Sequence, residues 1–262
     1  MFKLISFLVL TMILLPFSAY CETLKAGYFQ HVPHHFQTED KKLRGATFTY
    51  FDLVAKKMGY DVQWVGPLPI SRLLLMMKQG NLDVYPHSLR EDSWSDFLLY
   101  PEQSFHYAQA ILALRRDTPI KKISSVEDIK NYNINFINDI PASNFIKQNA
   151  QALHIELMAH TKTIWQQMLR KVVLRRIDAA HDLNAFTLPY IAHQIGLKDD
   201  IKILELPEPP VPVIVAFSKN TKNGRKLLEE YNKVQAEMKF GHTDYLKLIQ
   251  KEFEYLDKSR GL

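Results

Sequence analysis

Strand-like and helix-like patterns of apolar residues alternate along this chain of 262 residues. Residues 24–29 and 61–65 alternate as β-strands do, and residues 51–58 between them repeat apolar side chains at helical spacing. A second helical pattern over 70–77 and a short strand at 82–85 follow. Strand, helix, strand, helix, strand in this order predicts an α/β fold with a parallel sheet, because parallel strands need a crossover connection.

The same alternation starts again near Ala108 and predicts a second α/β half. Ser125 and Pro141 each mark a predicted helix start. Leu206–Pro212 contains four prolines in seven residues, so we expect it to be irregular. Two amphipathic helices close the chain. The remaining predicted elements are strands at 110–114, 133–137, 154–157, 177–180 and 213–217, and helices around 164–169 and 184–195.

The composition is that of an ordinary globular chain, with 47% hydrophobic and 23% charged residues. The formal charge is +5, from 33 basic and 28 acidic residues, and the basic residues form no run or stripe. A nucleic-acid partner is therefore not expected. The single cysteine, Cys21, permits neither an internal disulfide nor a thiolate metal site.

Residues 1–21 have the pattern of a secretory signal. Lys3 is followed by about a dozen apolar residues, too few to span a bilayer comfortably. Ala19 and Cys21 are small residues suited to a cleavage site after Cys21. We therefore predict a cleaved signal and a periplasmic location. The alternatives are lipid attachment at Cys21, against which Tyr20 argues, and an uncleaved membrane anchor.

Six segments together resemble the type 2 periplasmic solute-binding proteins, family 3 of the extracellular solute-binding proteins. They occur in the same order as in that family and cover nearly all of the chain after the signal. The segments are Leu24–Phe29, Phe51–Tyr60, Leu73–Asp83, Ser125–Lys130, Met168–Leu169 with Arg176–Ala179, and Val215–Asn220.

The resemblance implies a two-lobed α/β fold, each lobe a mainly parallel sheet flanked by helices, with two crossing strands between the lobes. Residues 22–109 and 213–262 would form lobe one, and residues 110–212 lobe two. The implied function is capture of a small polar solute, an amino acid or a related molecule, by lobe closure. We expect no enzymatic activity and no cofactor, a monomer, and delivery of the solute to an inner-membrane ABC permease.

Two other functions stay open. Some proteins of this fold are periplasmic dehydratases, which need a cleft acid with a raised pKa. The sequence shows no Ser-His-Asp, Cys-His or zinc signature. A third possibility is a signalling protein that presents its ligand to a membrane sensor.

Candidate site residues follow from the loops beyond the carboxyl ends of the predicted strands. In the loop after the first strand, the resemblance implies an aromatic ring that stacks on the ligand, assigned to Phe36 with His35 as second choice. The alternative is an aromatic residue that covers the edge of the lobe. His31, His34 and His35 also suit zinc or copper. No carboxylate or thiolate lies at matching spacing, so we expect a solvated loop and no metal.

The loop after residue 85 reads Tyr-Pro-His-Ser-Leu-Arg. Amino-acid binders of the resembling family place a Ser/Thr-rich turn before an arginine that clamps the ligand carboxylate, which implies Tyr85, Ser88 and Arg90. A guanidinium suits this role because it donates two parallel hydrogen bonds. The family's arginine would fall near Ser95, so either Arg90 replaces it or the solute has no such carboxylate. The alternative for Arg90 is a surface residue paired with neighbouring acids.

In lobe two, Ser143 and Asn144 begin a predicted helix whose N–H groups could hold an anion. Plain N-capping is the alternative. The resemblance implies a carboxylate that accepts the ligand ammonium, a role assigned to Asp182. An Arg90–Asp182 pair across the cleft would suit a zwitterion. The alternative for Asp182 is a cap on the following helix.

Overall fold

Two β-sheets, each covered by helices, organise the chain. The computed structural model describes residues 22–138, 140–159 and 161–259. The predicted signal, residues 1–21 with Cys21, lies outside the described residues. Within the described ranges, no helix has both the length and the apolar character that crossing a membrane requires.

The elements follow the predicted alternation. In chain order, the strands are β1 (Glu22–Gly27), β2 (Phe36–Gln37), β3 (Leu43–Arg44), β4 (Tyr60–Val65), β5 (Val84–Leu89), β6 (Leu98–Leu99), β7 (His106–Ala108), β8 (Ile111–Arg115), β9 (Asn133–Ile137), β10 (His154–Met158), β11 (Ala179–Asp182), β12 (Ile201–Glu205) and β13 (Val211–Ser218). The helices are α1 (Ala46–Met58), α2 (Ile70–Lys78), α3 (Asn144–Asn149), α4 (Ile164–Val173), α5 (Thr187–Gln194), α6 (Gly224–Met238) and α7 (His242–Ser259).

The first sheet draws its strands from two separate stretches of the chain. Its order is β4-β1-β5-β13-β6, with β7 paired to β13. Strand β1 is parallel to β4 and β5, whereas β13 returns antiparallel to β5. Helices α1, α6 and α7 supply Tyr50, Tyr231 and Tyr245 to its apolar core. This sheet and its helices, including α2, are called lobe one below.

The second sheet uses residues between the two stretches of the first. Its order is β10-β9-β11-β8-β12, with β9 parallel to β10 and β11, and β8 antiparallel to β11 and β12. Trp165 and Met168 of α4 and Leu188 of α5 belong to one of its apolar clusters. This sheet with α3, α4 and α5 is called lobe two. The chain passes between the lobes twice, from β7 to β8 and from β12 to β13.

Three local expectations differ from the structure. Strand β12 was not predicted. Ser125 and Asp128 form the capping box, but the helix that they start is only a 3-10 turn over Val126–Asp128, since no apolar periodicity continues it. The irregular stretch ends earlier than expected, because Pro212 already belongs to β13. Proline is tolerated there because the pairing of β13 with β5 begins only at Val213.

A tight turn after β1 contacts lobe two without the chain crossing into it. Residues 31–35 form this turn, called the histidine turn below, in which the His35 N–H donates to the His31 carbonyl. From it, the His31 Nε2 lies 3.0 Å from the Thr187 hydroxyl of lobe two. Directly after it, Phe36 packs with its ring centre 6.1 Å from that of Tyr190. The two lobes are therefore in contact around this turn.

Gly45 holds the histidine turn against the start of α1. The N–H groups of Ala46 and Thr47 donate to the carbonyl oxygens of Pro33 and His34 at 3.1 and 2.7 Å. These bonds satisfy donors that a helix N-terminus otherwise leaves unpaired. Gly45 has φ +133°, and a Cβ at this position would clash with the His34 carbonyl. Only glycine therefore fits this close approach.

Candidate functional site

A cavity lies between the two lobes, at the carboxyl ends of their central strands. Lobe one contributes Phe29 and His31 after β1, together with Tyr85, His87 and Leu89 on β5. Lobe two contributes Ile140, Pro141 and residues 182–184. The cavity offers about 50 Å³ to the centres of water-sized molecules, which is room for roughly three to five waters. The space between the lobes is therefore small.

Strand alternation decides which residues of the 85–90 segment face the cavity. The segment belongs to β5 up to Leu89, so alternate side chains point to opposite faces. Tyr85 lines the cavity as expected, and His87 lines it as well. Ser88 is not among the lining residues, and its hydroxyl donates to the Leu89 carbonyl at 2.9 Å.

Arg90 lies outside the cavity. Its guanidinium donates to the Pro101 carbonyl at 2.9 Å and lies 5.3 Å from the centre of the Tyr100 ring. It lines a separate, open groove of about 590 Å³ with Lys239. The structure therefore does not bring Arg90 together with Asp182, which lines the cavity between the lobes.

Phe36 and His35 also have other surroundings than the expected stacking site. Phe36 belongs to the apolar cluster of lobe two that includes Trp165 and Tyr190. The His35 Nδ1 lies 2.7 Å from the carbonyl oxygen of Phe29. Neither residue is among those that line the cavity.

The N-terminus of α3 is already capped within the chain. The Ser143 hydroxyl accepts from the Ile146 N–H at 3.3 Å, and the Phe145 N–H donates to the Glu208 carboxylate at 2.7 Å. Asn144 is exposed. The structure thus places Ser143 in the capping role and puts a carboxylate of the chain itself where an anion was expected.

Asp182 is a buried carboxyl group at the lobe-two wall of the cavity. Its Oδ1 accepts from the Asn184 N–H at 3.1 Å, while its Oδ2 has no hydrogen-bond partner among the described residues. Burial raises the pKa of Asp182 to about 7, and hydrogen bonding to Asn184 and Thr187 opposes part of this shift. Among the described residues, the cavity is lined by no lysine or arginine. The carboxyl group is therefore poised to accept a positive partner.

Aromatic rings cover much of the cavity opposite Asp182. Phe29, Tyr85 and Trp94 contribute their side chains, and the His31 ring stacks on Trp165 with the ring centres 6.3 Å apart. Aromatic faces attract cations through the ring quadrupole. A carboxylate together with aromatic walls is an arrangement that recognises an ammonium group.

The histidine turn is buried, so the expectation of a solvated loop is wrong. His31, His34 and His35 are 7%, 0% and 1% exposed, because α1 and lobe two cover the turn. His87 of β5 and His106 of β7 lie against them, with ring centres 4.6 and 5.8 Å from that of His34. These five residues are called the histidine cluster below.

Hydroxyl groups contact the outer nitrogens of the cluster. The His34 Nδ1 lies 2.9 Å from the Tyr245 hydroxyl, and the His87 Nδ1 lies 3.0 Å from the Thr47 hydroxyl. Thr47 and Tyr245 are themselves hydrogen-bonded at 2.7 Å. One ring nitrogen each of His31, His34 and His87 lies within 4.8 Å of the others, so these three residues could hold a metal ion.

Burial keeps four histidines of the cluster uncharged. It lowers the pKa of His34 to about 3, of His35 to about 4 and of His106 to about 2. The pKa of His87 is also held well below its usual value, by burial and by the neighbouring histidines. These four imidazoles are therefore neutral at pH 7, which is the form that binds metals.

His31 and His87 are among the cavity residues that sequence reasoning did not assign to the ligand site. Extending the predicted strand from residue 85 to Leu89 would have placed Tyr85, His87 and Leu89 on one face by alternation. For His31, the sequence signal was the close spacing of His31, His34 and His35 in the loop after the first strand.

No protein-family model matches the chain, and the search of curated proteins also found no match. Solved structures do match. An ancestral arginine-binding protein bound to glutamine has a TM-score of 0.69 and 21% identity, covering 88% of this chain and 97% of that one. The BvgS periplasmic VFT2 domain of Bordetella pertussis has a TM-score of 0.72 and 13% identity, covering 87% and 92%.

A third match is the amino acid ABC transporter substrate-binding protein AbpA of Streptococcus pneumoniae bound to L-arginine. It has a TM-score of 0.71 and 15% identity, covering 89% of this chain and 95% of that one. The chain therefore has the two-lobed α/β fold of type 2 periplasmic binding proteins. The structures that share this fold with it include both amino-acid-binding proteins and sensor domains.

Proposed function

We propose that this chain is an exported solute-binding protein whose lobes close on a small ammonium-bearing solute, an amino acid or a simple amine. The observation that carries the proposal is the Asp182 carboxyl group, which is buried in the cleft with one oxygen unpartnered among the described residues. A solute ammonium would supply the missing donor and the opposite charge.

The lining of the cleft supports a solute held by its ammonium group. With Arg90 directed elsewhere, the described residues around the cavity offer no guanidinium to clamp a carboxylate. The cavity is small, so entry of a solute requires the lobes to separate and then close around it. Closure around the solute, with no bond made or broken, is the proposed mechanism.

Export and delivery complete the proposal. The pattern of residues 1–21 supports a signal peptide and a periplasmic location. The similarity to an ABC transporter substrate-binding protein supports delivery of the solute to an inner-membrane permease. The similar TM-score of the BvgS domain supports a second candidate, a protein that passes its ligand signal to a membrane sensor. A permease gene or a sensor-kinase gene beside this one would separate the two.

The raised pKa of Asp182 also favours a periplasmic dehydratase, since such an enzyme needs a cleft acid. Prephenate-like acids, however, carry carboxylates, and no lysine or arginine lines this cavity in the part of the chain that the structure describes. Binding without turnover is therefore the better-supported function. Conversion of prephenate or arogenate by the purified protein would instead favour the enzymatic function.

Asp182→Asn is expected to weaken the binding of an ammonium-bearing solute at least about 30-fold, since loss of a buried charged partner costs roughly 2 kcal/mol or more. A thermal-shift screen with amino acids, simple amines and organic acids identifies the solute, and titration calorimetry then measures the affinity. Arg90→Ala is the matched control and should leave the affinity unchanged. Undiminished binding by Asp182→Asn, or loss in Arg90→Ala, would contradict the proposal.

Solute binding is expected to tighten about tenfold between pH 6 and pH 8. With a pKa of about 7, only about a tenth of the Asp182 carboxyl groups are ionised at pH 6, and most are ionised at pH 8. Tyr85 and His87 also face the cavity. Burial raises the pKa of Tyr85 and lowers that of His87, so neither changes its charge in this range.

Calorimetry in two buffers of different ionisation enthalpy should show close to one proton released per solute bound at pH 6. His31 is another titratable residue of the cavity. If a His31→Gln variant shows the same pH dependence of solute binding, that dependence is assigned to Asp182. An affinity that is constant from pH 6 to pH 8 would refute the assignment.

A further inference from the structure

Three histidines of the cluster converge on one point beside the cleft. A ring nitrogen of His31, one of His34 and one of His87 lie within 4.8 Å of one another. All three residues are buried, and two of them line the cavity. We infer that His31, His34 and His87 form a binding site for a divalent transition-metal ion, best matched by Zn²⁺, with one coordination position open towards the cleft.

The spacing fits such an ion after a small movement. Zinc binds imidazole nitrogens at about 2.0–2.1 Å, and three of them in a tetrahedron lie about 3.3 Å apart. The widest separation here is 4.8 Å, so side-chain rotations that bring the nitrogens closer by roughly 1–2 Å complete the site. Three imidazoles leave the fourth tetrahedral position for water or a solute atom.

The surroundings orient each ring in the way that metal-binding histidines require. The His34 Nδ1 contacts the Tyr245 hydroxyl and the His87 Nδ1 contacts the Thr47 hydroxyl, so the Nε2 atom of each ring is the one we assign to the ion. The His31 Nε2 contacts the Thr187 hydroxyl at 3.0 Å. Hydrogen bonds of this kind fix the tautomer and direct the remaining nitrogen at the ion.

The His34 Nε2 gives independent support. His34 is fully buried, and this nitrogen makes no hydrogen bond of standard geometry among the described residues, although the Asn184 side chain lies near enough to raise the pKa of His34 slightly against the effect of burial. A buried polar atom left unsatisfied costs roughly 1–3 kcal/mol, and each such atom in a native structure needs an explanation. Packing alone gives this nitrogen at most a weak contact with Asn184, whereas a metal ion would satisfy it.

The inference goes beyond the proposed solute site, because none of the three ligands is Asp182. It also replaces the sequence-based expectation that the loop binds no metal. That expectation required a carboxylate or thiolate nearby in the sequence. The fold instead brings His87 from β5, more than 50 residues further along the chain, to the histidine turn.

The test is Zn²⁺ titration of the purified chain, without a polyhistidine tag, in competition with a chromophoric chelator. One Zn²⁺ per chain is expected. Loss of a side chain that hydrogen-bonds to a metal ligand typically weakens metal binding roughly 10- to 100-fold. His34→Gln and His87→Gln remove a ligand itself, so they should weaken Zn²⁺ binding by more than this. Tyr245→Phe removes the hydrogen-bond partner of His34 and should weaken Zn²⁺ binding by roughly 10- to 100-fold. His154→Gln, an exposed histidine on β10, is the matched control and should bind normally.

Electron paramagnetic resonance of the unaltered protein loaded with Cu²⁺ keeps the test independent of how the variants fold. Splitting from imidazole nitrogens is expected, and a signal without it would overturn the inference. Absence of Zn²⁺ binding, or unchanged affinity in His34→Gln, would overturn it as well. Asp182→Asn should retain Zn²⁺ while losing the amine solute, so failure of this inference is distinguishable from failure of the proposed function.

Discussion

Phe36→Ala is expected to lower the free energy of unfolding by about 3 kcal/mol or more, because truncation of a buried phenylalanine removes apolar contacts and leaves a cavity. Phe36 is 6% exposed and joins the apolar cluster around Trp165 and Tyr190. Because it extends from lobe one into lobe two, its loss should also favour separated lobes. Urea unfolding measures the first effect, and an increased radius of gyration in small-angle X-ray scattering measures the second.

Leu157→Ala provides the comparison for this prediction. Leu157 is a large apolar side chain that is 61% exposed, so its truncation should change the free energy of unfolding by less than about 0.5 kcal/mol. If Phe36→Ala is equally harmless while solute binding is lost, Phe36 is a ligand contact, as the sequence resemblance implied, and the structural interpretation fails.

Gly45→Ala is expected to cost at least about 3 kcal/mol of stability. An alanine at φ +133° is strained, and its Cβ would meet the His34 carbonyl that accepts the Thr47 N–H. Relief of the clash must move the histidine turn away from α1, so the variant should also bind Zn²⁺ more weakly. Thermal unfolding and the chelator competition measure the two effects.

Gly241→Ala is a suitable control for Gly45→Ala, since a Cβ there would meet no atom within 4 Å. Its stability should stay within about 0.5 kcal/mol of the unaltered protein. A Gly45→Ala variant as stable as this control would contradict the prediction, because the histidine turn could then shift without a loss of stability.

The order of strands and helices was predictable because burial of apolar residues imposes a period on each element. Residues 61–65 and 70–77 are examples, and both match observed elements within a residue or so. Strand β12 escaped because its residues Ile201–Glu205 are mostly only partly buried and lie at a sheet edge. The short turn at Ser125 shows that a satisfied cap does not by itself make a helix.

The site was less predictable, because it depends on which face of an element each side chain occupies. Tyr85 and Asp182 line the cavity, since both lie at strand positions that face it, and their role as ligand contacts stays a prediction. Arg90 and Ser88 do not line the cavity, because Ser88 alternates with the lining residues of β5 and Arg90 follows the end of β5 and contacts Pro101. The convergence of His87 with the histidine turn is a tertiary contact without a local signal.

The positions of the tryptophans allow opening of the cleft to be followed by intrinsic fluorescence. Of the three in the chain, Trp94 lines the cleft and Trp165 stacks on His31. Trp64 lies apart, against Phe48 in lobe one. Intrinsic fluorescence therefore samples the cleft from both lobes without an attached dye, and a Trp64→Phe background would restrict the emission to the two rings that opening and occupancy disturb.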